Sequence, residues 1–185
     1  VFTSDNGPTH KKEVDTDFFK SAGILNGDRN RLKGSVHEAG IRVPFIASWP
    51  ESIEKGIKSN HISAFQDFFP TVCDILEIDI PYPIDGISYL PTLKGKDQKK
   101  HEYLYWEISG YGGQQAIRYG DWKGIKKGLQ KGRQELELYN LEKDIKEKND
   151  VSQVNPDIVK KFEKLLVEAR TQPSLNRFKI KAIDN

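Results

Sequence analysis

Two short stretches carry the side chains best suited to chemistry. Val1-Phe-Thr-Ser-Asp-Asn-Gly-Pro8 brings an acid, Asp5, and an amide, Asn6, into a turn at the end of an apolar run. Lys33-Gly-Ser-Val-His-Glu-Ala-Gly-Ile-Arg-Val-Pro44 sets an ammonium, an imidazole and a second acid in a glycine-punctuated loop, ahead of another apolar run. Polar groups at the carboxyl ends of buried strands are where open α/β sheets build their sites. Each group also has a plainer reading. Asp5-Asn6-Gly7-Pro8 is a turn signal on its own. Lys33 is by default a solvated loop lysine, His10 and His37 are surface or supporting imidazoles, and Glu38 with Arg42 reads as an ion pair holding the loop.

The elements that must position these groups follow from periodicity. Residues 1–4 are a short β-type run, and residues 9–30 a long polar loop with one helical turn, a length that usually signals function. Residues 41–49 are apolar on both faces, as in a parallel sheet. Residues 63–76 repeat apolar side chains at helical spacing, with Pro70 inside the pattern predicting a kink or a two-part helix. A charged linker over residues 94–100 divides the chain into 1–98 and 99–185. Beyond it, residues 102–107, 115–119, 121–125 and 135–140 predict a small antiparallel sheet, with a basic hairpin tip at residues 126–133. Asn155 and Pro156 open an amphipathic closing helix, followed by a polar tail. The residues thus read as α/β, with a small four-stranded antiparallel sheet and a carboxy-terminal helix in the second part.

Composition bounds the rest. With 36% hydrophobic residues, nine Phe, seven Tyr and three Trp, the 185-residue chain can fill a core, which argues against disorder. A net charge of +2 makes no case for nucleic acid or a membrane surface. No apolar run approaches the ~20 residues of a membrane span. The single cysteine, Cys73, rules out an internal disulfide and a multi-cysteine metal site, and its apolar helical setting predicts core packing. The chain has no methionine and starts inside an apolar run, as a fragment would.

In this order the motifs resemble the type I sulfatases, the arylsulfatase-like members of the alkaline phosphatase superfamily. Phe2-Thr-Ser-Asp-Asn-Gly-Pro8 resembles their second metal motif. Lys33 to Pro44, followed by Trp49-Pro50, resembles the Lys…Glu-Gly-Gly-Ile-Arg-Val-Pro…Trp-Pro signature. Asp67-Phe-Phe-Pro-Thr71 resembles the helix that follows; Gln115-Ala-Ile-Arg118, Gly120-Asp-Trp-Lys123 and Leu136-Glu-Leu-Tyr-Asn-Leu-Glu-Lys-Asp144 resemble the family's carboxy-terminal sheet. The departure is Ala39 for the first glycine of Glu-Gly-Gly, which matters only if that position needs a positive φ.

The resemblance implies the end of an alkaline-phosphatase-like mixed sheet with flanking helices, plus a small four-stranded antiparallel sheet packed with a carboxy-terminal helix. It implies hydrolysis of a sulfate ester, with sulfated carbohydrate as substrate class and a periplasmic or secreted parent protein. It implies a calcium ion with Asp5 and Asn6 among its oxygen ligands, and Lys33 as the ammonium on the sulfate. It makes two residues substrate-binding candidates: His10, close after the metal motif, and Gln114, in the second subdomain that in this family often rims the cleft. The nucleophile it implies is a formylglycine made within a Cys/Ser-x-Pro/Ala-x-Arg motif. Cys73 precedes Asp74-Ile75-Leu76 and does not match, so the chain alone is expected to be inactive. Two alternatives stay open: a phosphoester or phosphonate hydrolase of the same superfamily, and a non-catalytic glycan-binding remnant. The truncated face is expected to expose apolar surface and to allow self-association.

Overall fold

The computed structural model describes residues 1–10, 14–15 and 18–184. The architecture is mixed α/β, and chain contacts group it into two units: Val1–Thr3 with Phe45–Glu102, and Ser4–Pro44 with Tyr103–Asn185. The second grouping joins the Lys33 stretch to the carboxy-terminal sheet, a division that a cut after residue 98 does not draw.

In the first unit, β1 (Phe2–Thr3) pairs antiparallel with β2 (Phe45–Ile46). This corrects the expected two-faced strand over residues 41–49. Phe2, Phe45 and Ile46 are exposed, and residues before Arg42 are helical instead. A 3-10 turn at Phe65–Asp67 leads into α2 (Phe68–Ile75), the two-part helix that Pro70 predicts. Pro70 lies in the first turn of α2, where a missing N–H leaves no intrahelical bond unmade. Cys73 is buried on this helix, consistent with packing. The buried Asp67 carboxylate organises the unit: it accepts the Ala64 and Ile87 N–H groups, each at 2.8 Å, and contacts His101 Nε2 at 2.8 Å. A short helix, α3 (Leu90–Leu93), follows.

In the second unit, α1 (Glu38–Ile41) is a single helical turn. The sheet runs in sequence order: β3 (Leu104–Ile108), β4 (Gln114–Tyr119), β5 (Trp122–Lys127) and β6 (Leu136–Asn140), every pair antiparallel. All four strands stand where the sequence reading placed them, within two residues. One face packs Ile117, Leu136 and Leu138 against Phe162, Leu165 and Leu166 of α4 (Pro156–Glu168). The other face packs Ala116, Ile125, Tyr139 and Leu141 around Val36. Burying each large aliphatic or aromatic chain here contributes roughly 1.5–3 kcal/mol. The loop that carries Lys33 is thus the cover of the face opposite α4.

Three local expectations need correction. Asn155 precedes α4, but its amide donates to Val151 O at 2.8 Å instead of capping the helix. The basic tip is not a plain solvated hairpin, because its 3-10 turn Leu129–Lys131 buries Leu129 completely. The polar tail is pinned: the Arg170 guanidinium forks onto both Asp184 carboxylate oxygens at 2.7 Å, and Ile180 is buried. In the long loop, Asp28 caps a 3-10 turn at Arg29–Arg31. The part of that loop reading on residues 11–13 and 16–17 lies outside the described residues.

Candidate active site

Backbone hydrogen bonds stitch the two chemistry-bearing stretches together. Lys33 N–H donates to Pro8 O at 3.0 Å, and Gly7 N–H donates to Gly40 O at 2.8 Å. Gly7 is required by proximity, since a β-carbon there would lie 1.8 Å from Ala39 O. Gly34 is required by conformation and by space: its φ is +91°, and a β-carbon would meet the Tyr111 ring at 2.6 Å. Ala39 lies in α1 and is not among the positive-φ residues, so the alanine in place of the signature glycine is accommodated.

The expected site residues separate on this framework. Asn6 and Lys33 line one hollow of about 460 Å³, together with Ser4, Thr9 and Arg42. The Asn6 amide nitrogen donates to Gly7 O at 2.8 Å, which leaves its oxygen as the group available to a cation. Asp5 is exposed and stands outside the lining of the hollow, as does His10. Lys33 is exposed, and among the described residues its ammonium has no ion-pair partner. Gln114 is committed elsewhere. Its amide donates to Gly34 O at 2.8 Å and accepts Val36 N–H at 3.3 Å, so it braces the Lys33 loop from β4.

The donor chemistry fits part of a calcium site. Asp5 and Asn6 are hard oxygen donors at adjacent positions, whereas calcium takes six to eight such ligands. Among the described residues, no three acidic, histidine or cysteine side chains gather to complete a set.

Behind the hollow lies a cluster the linear reading missed. Lys123, on β5, is fully buried; its ammonium sits 2.8 Å from Glu38 Oε1 and 3.1 Å from Glu147 Oε1. Glu147 Oε2 accepts the Glu38 backbone N–H at 2.7 Å. Arg42 and Arg118 approach Glu38 Oε2 at 3.5 and 3.7 Å, ion-pair distances without hydrogen-bond alignment. The Glu38–Arg42 pair read from the sequence is present, but Lys123 is the closer partner. Burial pushes the Glu38 carboxyl up, yet Lys123, Arg118 and Arg42 together outweigh it and hold the carboxyl below its ordinary range. At Glu147 burial prevails over Lys123 and raises the carboxyl. The sequence did hold one signal: Lys123 is two residues from Ile125, on the same face of β5, a face buried by the Val36 loop.

His37 is buried, not a surface group. Its Nδ1 is 2.7 Å from Ser35 Oγ, and Nε2 has no hydrogen-bond partner among the described residues. Burial, then the charges of Arg31, Lys127 and Lys123, depress its pKa to about 2. A neutral imidazole of this kind is no anion-binding cation.

Comparison with known proteins bears on the family and the fold. The profile of the family "N-sulphoglucosamine sulphohydrolase, C-terminal" matches residues 31–172. An N-acetylgalactosamine-6-O-sulfatase of Bacteroides thetaiotaomicron is 29% identical over 93% of this chain and 36% of its own length. Human steryl-sulfatase is 37% identical over 60% of this chain and 19% of its own length. The solved structure of Ps i-CgsB in complex with k-i-k-neocarrahexaose superposes with a TM-score of 0.72 at 28% identity, over 94% of this chain and 37% of that one. The chain thus spans little more than a third of the relatives it matches along nearly all its length. It belongs to the N-sulphoglucosamine sulphohydrolase C-terminal family, and its residues correspond to the carboxy-terminal part of sulfatases.

Proposed function

We propose that the protein to which this chain contributes hydrolyses a sulfate ester of a carbohydrate, and that this chain supplies its anion-binding lysine and part of its calcium site. The observation that carries the reading is the juxtaposition of Asn6 and Lys33 around one hollow, held by the Lys33–Pro8 and Gly7–Gly40 hydrogen bonds. Lys33 donates to the sulfuryl and leaving oxygens as S–O cleavage loads them with charge, and Arg42 gives the hollow a second cation. Asp5 and Asn6 contribute two oxygen ligands to calcium, and bound calcium supplies further neutralisation of the sulfuryl oxygens. His10 borders the Asp5-Asn6 turn in sequence and is assigned to substrate. Gln114 acts through the Lys33 loop.

No residue here matches the formylglycine motif, so attack on sulfur is assigned to residues outside this chain, and the chain alone is inactive. The carbohydrate class rests on the sugar names of the N-acetylgalactosamine-6-O-sulfatase and of the neocarrahexaose complex. A periplasmic or secreted location follows from the same resemblance; no helix among the described residues is long and apolar enough to cross a membrane. Phe65, Phe68, Phe69 and Leu76 are exposed, which supports self-association of the isolated chain, to be read by sedimentation at increasing concentration.

The test is Lys33→Ala in the full-length protein, assayed on an aryl sulfate. Loss of a charge-stabilising donor lowers kcat by roughly 10²–10³-fold. Unchanged turnover, or a preference for aryl phosphate over aryl sulfate, would refute the assignment.

A further inference from the structure

Lys33 is a long, exposed side chain on a loop that contains Gly34. Its ammonium can serve an anion only if the backbone beneath it is fixed. Beside the bonds to Pro8 and Gln114, restraints from both flanks meet on one residue distant in sequence. Two positions before Lys33, Arg31 donates to the Glu147 carbonyl at 2.5 Å. Five positions after it, Glu38 donates its backbone N–H to Glu147 Oε2 at 2.7 Å. The remaining Glu147 oxygen pairs with Lys123 at 3.1 Å, and Lys123 in turn holds the Glu38 side chain at 2.8 Å.

We propose that Glu147, with Lys123 as its counter-ion, is a positioning residue for Lys33: it clamps both flanks of the lysine's loop to the face of the sheet opposite α4. The inference rests on the role of Lys33 proposed above. Two features argue that the clamp serves placement and not stability alone. Glu147 has a φ of +52°, a left-handed conformation that residues with a β-carbon avoid unless their surroundings over-determine it. The clamp is also ionic in a fully buried place, where an apolar plug of similar volume is often at least as stabilising. A buried charge cluster does what a plug does not: it fixes direction, because Glu147 Oε2 has a backbone donor in Glu38 and Oε1 a counter-ion in Lys123.

The experiment is a double-mutant cycle in the full-length protein with Glu147→Gly and Lys33→Ala, read as kcat and KM on an aryl sulfate and as calorimetric binding of inorganic sulfate. Glu147→Gly removes the side-chain clamp, relieves the left-handed backbone, and leaves Lys123 and Glu38 as a neutral pair. The expected result is a fall of about 10- to 100-fold in kcat/KM, as a displacement near 1 Å produces, with weakened sulfate binding. In the Lys33→Ala background the same change alters kcat/KM by less than about twofold, because the coupled residues act through one group. Rescue by Glu147→Gln, which keeps an acceptor for Glu38 N–H, completes the pattern. Full additivity of the two substitutions, or a Glu147→Gly protein within twofold of the parent, overturns the clamp while leaving the sulfatase reading intact. A Lys33→Ala protein of unchanged turnover overturns both. Should Glu147→Gly not fold, Arg31→Met, which removes the grip on the Glu147 carbonyl, enters the same cycle: non-additivity with Lys33→Ala supports the clamp, and additivity overturns it.

Discussion

Gly7→Ala is the most direct test of how the two motifs are joined. Gly7 is buried between the Asp5-Asn6 turn and α1. A β-carbon added there would stand 1.8 Å from Ala39 O, 2.8 Å from Ala39 C and 3.1 Å from Gly40 Cα, all backbone atoms. Real β-carbons are essentially never found under 3.0 Å, so the two segments must part by at least 1.2 Å, the difference between 3.0 and 1.8 Å. The backbone at Gly7 is not left-handed, so the penalty is one of space. Separation also breaks the buried Gly7–Gly40 hydrogen bond, a loss of about 1–3 kcal/mol. A displacement of this size between Asn6 and Lys33 lowers kcat/KM roughly 10²-fold. The assay is aryl sulfate turnover by the full-length protein, with urea unfolding beside it. Gly27→Ala is the control: its nearest neighbour, Ala22 Cβ, would be 3.9 Å away, and both readouts should hold. A Gly7→Ala protein within threefold of the parent activity and equally stable would refute the close approach of the two stretches.

Three further outcomes follow from buried charge. His37 is held neutral in the fold, with its pKa lowered from 6.5 to about 2, so the unfolded chain binds the proton first and stability falls as pH drops below 6.5. Between pH 7.5 and 4.5 the loss is about 2.7 kcal/mol; denaturant titrations should show that slope and its absence in His37→Gln, and identical slopes would contradict it. Asp67→Ala should cost about 3–5 kcal/mol, since it strips two backbone N–H groups and His101 of their shared acceptor; an unfolding midpoint displaced by under ~1 kcal/mol would speak against that carboxylate as an organiser. Arg170→Ala should release the tail, with faster amide exchange over residues 176–184 and little change in β4 and β5. Unaltered exchange there would mean that the forked contact to Asp184 does not hold the segment.

Much of the fold could be read along the chain. Strand-type runs bounded by turn signals placed β3 to β6, and alternation marked β6, because in an antiparallel strand neighbouring residues answer to opposite faces. Three-to-four spacing placed α4, and Pro70 announced a divided helix. Motif order singled out Asp5, Asn6 and Lys33; Asn6 and Lys33 line one hollow, and Asp5 stands outside its lining. Other features had no linear signature. Residues 41–49 looked like a buried strand from their side chains, yet the pairing of Phe45 and Ile46 with two residues leaves them exposed, and Glu38–Ile41 closes into a helical turn. Gln114 looked like a substrate contact until its amide was seen to satisfy two backbone groups of the Lys33 loop.

Lys123 and Glu147 show the division most clearly. As letters they are two charges among the 56 Lys, Arg, Asp and Glu side chains of the chain (29 basic, 27 acidic); Glu147 carries no local mark, and Lys123 only the β5 face it shares with Ile125. Their partner Glu38 lies 85 and 109 residues away. Local sequence specifies what depends on near neighbours: periodicity, turns and breaks. Which charges lose their water and must find one another is decided only when distant segments pack, because the cost of burial falls on the assembled surface and not on the residue.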